Sequence, residues 1–266
     1  MSDSKGSLKP PSNLLLLAEG RAFAEAAAGV LARPFLRRAP TGDGHPVLVL
    51  PGFLASDGST VPLRRFLRDR GLLPYGWRQG RNLGPRPGVE ERIFDRLQEL
   101  RQRHGRKVSI VGWSLGGIYA RELACRAPDD VRQVITLGSP FAGDPKANRP
   151  WRLFEWLSGR QIDGLDPELV ERMRRPPPVP STAIFSRSDG VAAWQSCVES
   201  YGRESESIEV VSSHLGLGFN PLVLYLLADR LALPEGRWRP FRRDGMLRYL
   251  YDKPLRPRDA PPPGRY

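Results

Sequence analysis

The sequence predicts an α/β protein, with a mostly parallel central sheet and helices on both faces. Through the middle of the chain, β-type apolar runs alternate with helical patterns, as right-handed β–α–β crossovers require. KVSIVG, from Lys107 to Gly112, reads as a buried strand between two helices. The chain has 266 residues, 40% of them hydrophobic, enough to bury the core of one α/β domain.

Each element can be justified in order. Residues 1–12 read as a flexible leader. In NLLLLAEGRAFAEAAAGVLARPFL, Leu16, Phe23, Ala27 and Val30 fall near helical spacing, which predicts an amphipathic helix from about Leu14 to Leu36 packed on the domain. Glu19, Arg21 and Glu25 interrupt it, and no run reaches the ~18 apolar residues of a membrane span. HPVLVLPGF is a β-type run stopped by Pro51-Gly52. STVPLRRFLRDRGL is a helix, YGWRQG a strand end and RNLGPRPG a loop. VEERIFDRLQELRQRHG repeats Ile93, Leu97 and Leu100 at helical spacing and stops at Gly105.

After KVSIVG come the helix SLGGIYARELACRAP and the strand VRQVITLGSP. From about Phe141 to Pro180 the alternation breaks. WRLFEWLSG reads there as a short amphipathic helix and RRPPPVP as a stiff, extended connector. STAIFS and IEVVSS resume the strands, and NPLVLYLLADRLAL is an apolar helix with Pro221 in its first turn. From Pro234 onward the chain is basic and Pro-rich without a period, and a loosely ordered tail is expected. The expected organisation is therefore a leader and helix (1–40), an α/β domain (41–233) with a helical lid-like insertion (about 141–180), and a basic tail (234–266).

The net charge is +12, carried mostly by arginine, which reads first as a solvated surface. Three dispersed histidines offer no metal-ligand spacing, so neither metal nor cofactor is expected. The two cysteines, Cys125 and Cys197, lack Cys-x-x-Cys spacing and are expected as free thiols.

SIVGWSLGG places Ser114 between Gly112 and Gly116. Chance supplies such a pattern roughly 0.2 times in a chain of this composition, so its strand and helix flanks carry the argument. Both are present. So tight a strand-to-helix turn strains its central residue and needs near-bare neighbours two positions away, which Gly112 and Gly116 are. The turn lifts Ser114 Oγ to the positive end of the following helix, where an oxyanion is favoured.

With PGF after the first strand, GWSLGG, SDGV after STAIFS and SHLG after IEVVSS, the chain from roughly His45 to Leu233 resembles the α/β-hydrolase family, in its lipase/esterase branch. The resemblance implies a serine hydrolase cleaving acyl esters, with nucleophile, acid and histidine in that chain order. Ser114 takes the first role. Asp189 takes the second, with Asp163 and Asp166 in the insertion as rivals. His214 takes the third and is the only histidine after Ser114, whereas His45 and His104 read as structural. The oxyanion donors are the backbone N–H groups of Leu115 and Phe53, although Pro51 stands where the family carries histidine. Trp113 likewise replaces the histidine common in lipases, which favours an esterase over a true triglyceride lipase.

Trp151, Phe154, Trp156 and Leu157 fall where the family often carries a lid. With Leu54 and Trp113 they suggest an apolar substrate wall, and a small-molecule ester or lipid with a medium or long acyl group is expected. An acyltransferase, thioesterase or lipid deacylase on the same residues stays open. So does a non-catalytic basic binding protein, on the strength of RWRPFRRDGMLRYLYDKPLRPR, where arginines interleave with aromatics. For that tail, peripheral membrane contact ranks above nucleic acid. The cytoplasm is the expected compartment, with secretion as an alternative.

Overall fold

Among the described residues, six strands form one sheet, all pairs parallel, in the order β2-β1-β3-β4-β5-β6. They are β1 (Pro46–Leu50), β2 (Leu73–Gly76), β3 (Val108–Trp113), β4 (Val131–Leu137), β5 (Ser181–Phe185) and β6 (Ser205–Glu209). A computed structural model of the chain describes residues 8–142, 148, 174–199 and 202–255.

Every residue of β1, β3, β4 and β5 is buried, because helices cover both faces of the parallel sheet. Alternate side chains point to opposite faces. Val47 and Val49 of β1, with Val111 and Ile135, pack against α4 (Val61–Asp69) and α7 (Pro221–Leu231). Leu48 and Leu50, with Ile110 and Val134, meet α5 (Val89–His104) and α6 (Leu115–Arg126). Helix α5 is capped by Gly88 and Gly105, both left-handed, with Glu90 and Glu91 in its first turn and Arg101 and Arg103 in its last, as the helix dipole favours.

The chain runs outward from β1 to β2 and then crosses back to β3 on the other side of β1. Such a reversal opens a crevice beyond the carboxyl ends of the strands. Leu50 pairs there with Gly112, Trp113 with Leu137, and Leu137 with Ile184, so the loops after β1, β3, β4 and β5 emerge along one edge.

Three sequence expectations are corrected. The single N-terminal helix is broken into α1 (Asn13–Leu17), a 3-10 turn (Ala18–Arg21), α2 (Ala22–Leu31) and α3 (Arg33–Leu36). Gly20 lies in the turn, and Pro34 lacks the N–H that an unbroken helix would use. The last strand is Ser205–Glu209 rather than IEVVSS. Its polar side chains are buried but satisfied: Ser205 Oγ lies 2.9 Å from Ser181 Oγ, and Ser207 Oγ accepts the Glu199 N–H at 2.8 Å. Hydrophobic patterning does not register such a strand.

The tail to Leu255 is packed rather than loose. Phe241 and Tyr251 are buried in an edge-to-face pair with centroids 5.1 Å apart, and Leu255 exchanges backbone hydrogen bonds with Ser207. Glu206 accepts the Phe241 N–H at 2.9 Å and Arg230 Nη1 at 2.8 Å, tying β6, α7 and the tail together. Much of the insertion falls outside the described residues, with Trp151, Phe154, Trp156, Leu157, Asp163 and Asp166 among them.

Candidate active site

Ser114 stands between the end of β3 and the start of α6, at φ 52° and ψ −121°, a region L-residues rarely occupy. Its N–H donates to Leu137 O at 2.8 Å. The glycines beside it are required by close backbone approach. A Cβ on Gly112 would lie 2.4 Å from both Gly116 O and Gly117 Cα, and one on Gly116 would lie 2.3 Å from Leu50 O. Gly52, in the loop after β1, sits so near that its Cβ would approach Ser114 Cβ to 3.2 Å.

Asp189 lies on the loop after β5. Its Oδ1 accepts the Val191 and Ala192 N–H groups, each at 2.8 Å, and its Oδ2 lies 2.6 Å from His214 Nδ1. Both side chains are buried. Gly138, after β4, is pressed against the pair: a Cβ there would be 3.2 Å from both Asp189 Oδ2 and His214 Nδ1. Burial is the largest influence on the His214 imidazole and pulls its pKa down. The Asp189 charge and hydrogen bond, with the Glu19 charge, outweigh burial and hold it above the ordinary histidine value. Among the described residues, no hydrogen bond joins Ser114 Oγ to the His214 ring. Such a bond commonly tightens only when substrate binds.

The loop after β1 carries Pro51, Gly52, Phe53 and Leu54. Asn82 holds it from the segment read as plain loop. Asn82 Nδ2 donates to Pro51 O at 2.9 Å, its carbonyl accepts the Leu54 N–H at 2.7 Å, and its own N–H donates to Ala55 O at 2.8 Å. Asn82 is fully buried, with its Oδ1 on the Gly84 N–H at 3.1 Å. The sequence signal was there to be seen, because an asparagine two residues before a glycine favours such a turn. Leu115 opens α6, so its N–H belongs to the unpaired first turn of that helix.

Trp113 lies in the core, and its indole N–H donates to His214 O at 3.2 Å. That places it behind the histidine loop. Leu54 is half-exposed on the loop after β1. Outside this cluster, His45 Nδ1 lies 2.6 Å from Asp43 Oδ1 and its Nε2 lies 2.8 Å from Ser109 Oγ, while His104 Nε2 meets the Tyr75 hydroxyl at 2.9 Å. Cys125 and Cys197 are not joined in a disulfide; burial and the neighbouring Asp189 charge push the Cys197 thiol up. No group of three His, Cys, Asp or Glu side chains among the described residues is arranged to hold a metal ion.

No family model and no curated protein matches the chain. Solved structures do. Lipase B of Aspergillus fumigatus superposes with a TM-score of 0.59 at 19% identity, over 74% of this chain and 54% of that one. A mature Bacillus licheniformis lipase gives 0.54 at 15% identity, over 73% and 95%. The monoacylglycerol lipase of Paleococcus ferrophilus gives 0.51 at 16%, over 71% and 96%. The chain has the α/β-hydrolase fold. Within that fold, Ser114, Asp189 and His214 occupy the loops after β3, β5 and β6, all at the carboxyl edge of the sheet. This chain spans about half the length of the Aspergillus protein and nearly all of the other two. No helix among its described residues is long and apolar enough to cross a membrane.

Proposed function

We propose that the chain is a serine hydrolase that cleaves carboxylic esters of apolar acyl groups. The observation that carries this reading is the strained Ser114 at the β3–α6 turn, beside a buried Asp189–His214 pair held at 2.6 Å. His214 Nε2 takes the Ser114 hydroxyl proton as Oγ attacks the acyl carbon, and Asp189 fixes the tautomer and offsets the imidazolium charge. The backbone N–H groups of Leu115 and Phe53 receive the oxyanion, each such donor being worth about 2.7–4 kcal/mol. Collapse expels the alcohol, which takes the proton back from His214. Water then repeats the sequence on the acyl-enzyme and regenerates Ser114.

The lipase fold neighbours support an ester substrate, and Leu54, exposed on the loop after β1, offers an apolar contact for the acyl group. Of the basic tail's aromatics, Phe241 and Tyr251 are buried and Tyr249 is exposed, so the rival reading as a basic binding module has reduced stacking surface. Labelling by a fluorophosphonate probe tests the proposal. The wild-type chain reacts and hydrolyses p-nitrophenyl esters, while Ser114→Ala is unlabelled and loses on the order of 10⁴-fold or more in rate. A folded wild-type chain inert to both probe and esters overturns it.

A further inference from the structure

Glu19 is a buried carboxylate, 6% exposed, in the 3-10 turn between α1 and α2, and it makes no ion pair among the described residues. A buried charge without a counter-ion is costly unless its oxygens are filled by hydrogen bonds. Those bonds come from two separate loops. Glu19 Oε1 accepts the Gly190 N–H at 2.8 Å and the His214 N–H at 2.9 Å, and Oε2 accepts the Leu215 N–H at 3.0 Å. Gly190 follows Asp189 directly, so one carboxylate grips the loop of the acid and the loop of the histidine together.

The neighbouring side chains repeat the pattern. Glu25 of α2 accepts the Ser213 N–H at 2.7 Å, Ser212 Oγ at 2.6 Å and Asn220 Nδ2 at 2.9 Å. Arg21, paired with Glu25, donates to Ser188 O at 2.7 Å. Contact is close enough that a Cβ on Gly190 would lie 2.3 Å from Leu15 O. The N-terminal segment thus fastens residues 188–190 to residues 212–215 from outside the sheet.

We propose that Glu19 is a positioning residue for the Asp189–His214 pair, setting the spacing of the two loops so that the N-terminal segment completes the active site. This inference rests on the serine-hydrolase reading. Reacting groups lose rate steeply when displaced, by about 10²-fold for 1 Å. A carboxylate gripping both backbones is suited to hold the pair within that tolerance. In Glu19→Gln the amide oxygen can keep the Gly190 and His214 N–H groups, while its NH₂ faces the Leu215 N–H, which it cannot accept from, so the grip on the histidine loop is loosened.

The test uses the full chain and compares wild type with Glu19→Gln by thermal unfolding, by kcat and KM on a p-nitrophenyl ester, and by the pH profile of kcat/KM. The charged groups facing His214 are Asp189, from the loop after β5, and Glu19, from the N-terminal turn, with the Arg21–Glu25 pair behind. Glu19→Gln lowers kcat at least about tenfold with KM within about twofold, and moves the acid limb of the profile to lower pH. A folded Glu19→Gln chain with wild-type kcat and an unmoved acid limb overturns the inference and leaves Glu19 a structural cap. Should Glu19→Gln not fold, Glu19→Asp keeps the charge but is one methylene too short to span both loops. It lowers kcat with the acid limb in place, and wild-type kcat in that variant overturns the inference equally. An inert wild-type chain overturns the hydrolase reading and this inference together, whereas an active wild type with unaffected variants removes Glu19 alone.

Discussion

Trp113 Nε1 donates its proton to the carbonyl oxygen of His214 at 3.2 Å, joining the residue before the candidate nucleophile to the candidate base. Gly218 makes room for this contact, since a Cβ there would lie 2.7 Å from the Trp113 ring. Trp113→Phe leaves a buried carbonyl without this donor, at a cost of about 1–3 kcal/mol, and loses part of the indole packing on Gly218 besides. Urea unfolding of the variant shows that loss, together with a lower kcat as the histidine loop relaxes. Unchanged stability and rate would show that the bond holds nothing in place.

Ser114 combines chemistry with strain. Its backbone, at φ 52° and ψ −121°, costs on the order of 1–3 kcal/mol for a residue bearing a Cβ. Ser114→Ala and Ser114→Gly are both inactive, but only the glycine variant sheds the strain. Ser114→Gly therefore unfolds at higher denaturant than Ser114→Ala. The reverse order would mean that the turn is unstrained.

Two buried histidines give stability opposite pH dependences. The folded pKa of His214 is raised above 6.5, so its stabilising contribution is complete below 6.5 and is lost as pH rises through the folded value. Ester hydrolysis gains over that same rise, because the neutral ring is the base. Asp189→Asn removes the opposition, and its rate falls on the order of 10⁴-fold with the wrong tautomer. For His45, burial first and the Arg132 charge second lower the pKa to about 4. The ring resists protonation when folded, and about 3 kcal/mol of stability is lost as pH falls from 6.5 to about 4. Chemical denaturation across pH, with His45→Gln flattening the acid side, checks both windows.

Arg230 and Glu206 are fully buried and paired at 2.8 Å, and burial raises the Glu206 carboxyl pKa despite the arginine. Removing one partner of such a pair costs about 3–5 kcal/mol. Glu206→Ala accordingly melts well below wild type, and Phe241 loses its backbone anchor. Replacing both together, as Glu206→Ala with Arg230→Met, costs less than the two single variants summed. Additive losses would show that the pair is uncoupled.

Elements with a clean period were legible in the sequence. Helix α5 and strand β3 sit where Ile93, Leu97 and Leu100, and the run VSIVG, put them. Strand β6 escapes hydrophobic patterning because Ser205, Glu206 and Ser207 are buried through hydrogen bonds and an ion pair that only their partners reveal. The tail was misjudged for the same reason. Phe241 and Tyr251 have no period of their own, and they are buried by fitting against α7 and each other.

The candidate site divides the same way. Local pattern is sufficient to put Ser114 on a strand-to-helix turn, because glycine spacing and strand periodicity act over a few residues, whereas the order of Asp189 and His214 is implied by the family resemblance. What brings Asp189 Oδ2 within 2.6 Å of His214 Nδ1 is the parallel register of β5 and β6. The roles of Glu19, Glu25, Asn82 and Trp113 were decided only by tertiary structure. Glu19 reaches Gly190 and His214 across 171 and 195 residues of chain. A hydrogen bond over such a separation leaves no periodic trace in the sequence, since the fold alone sets which donors meet the buried oxygens.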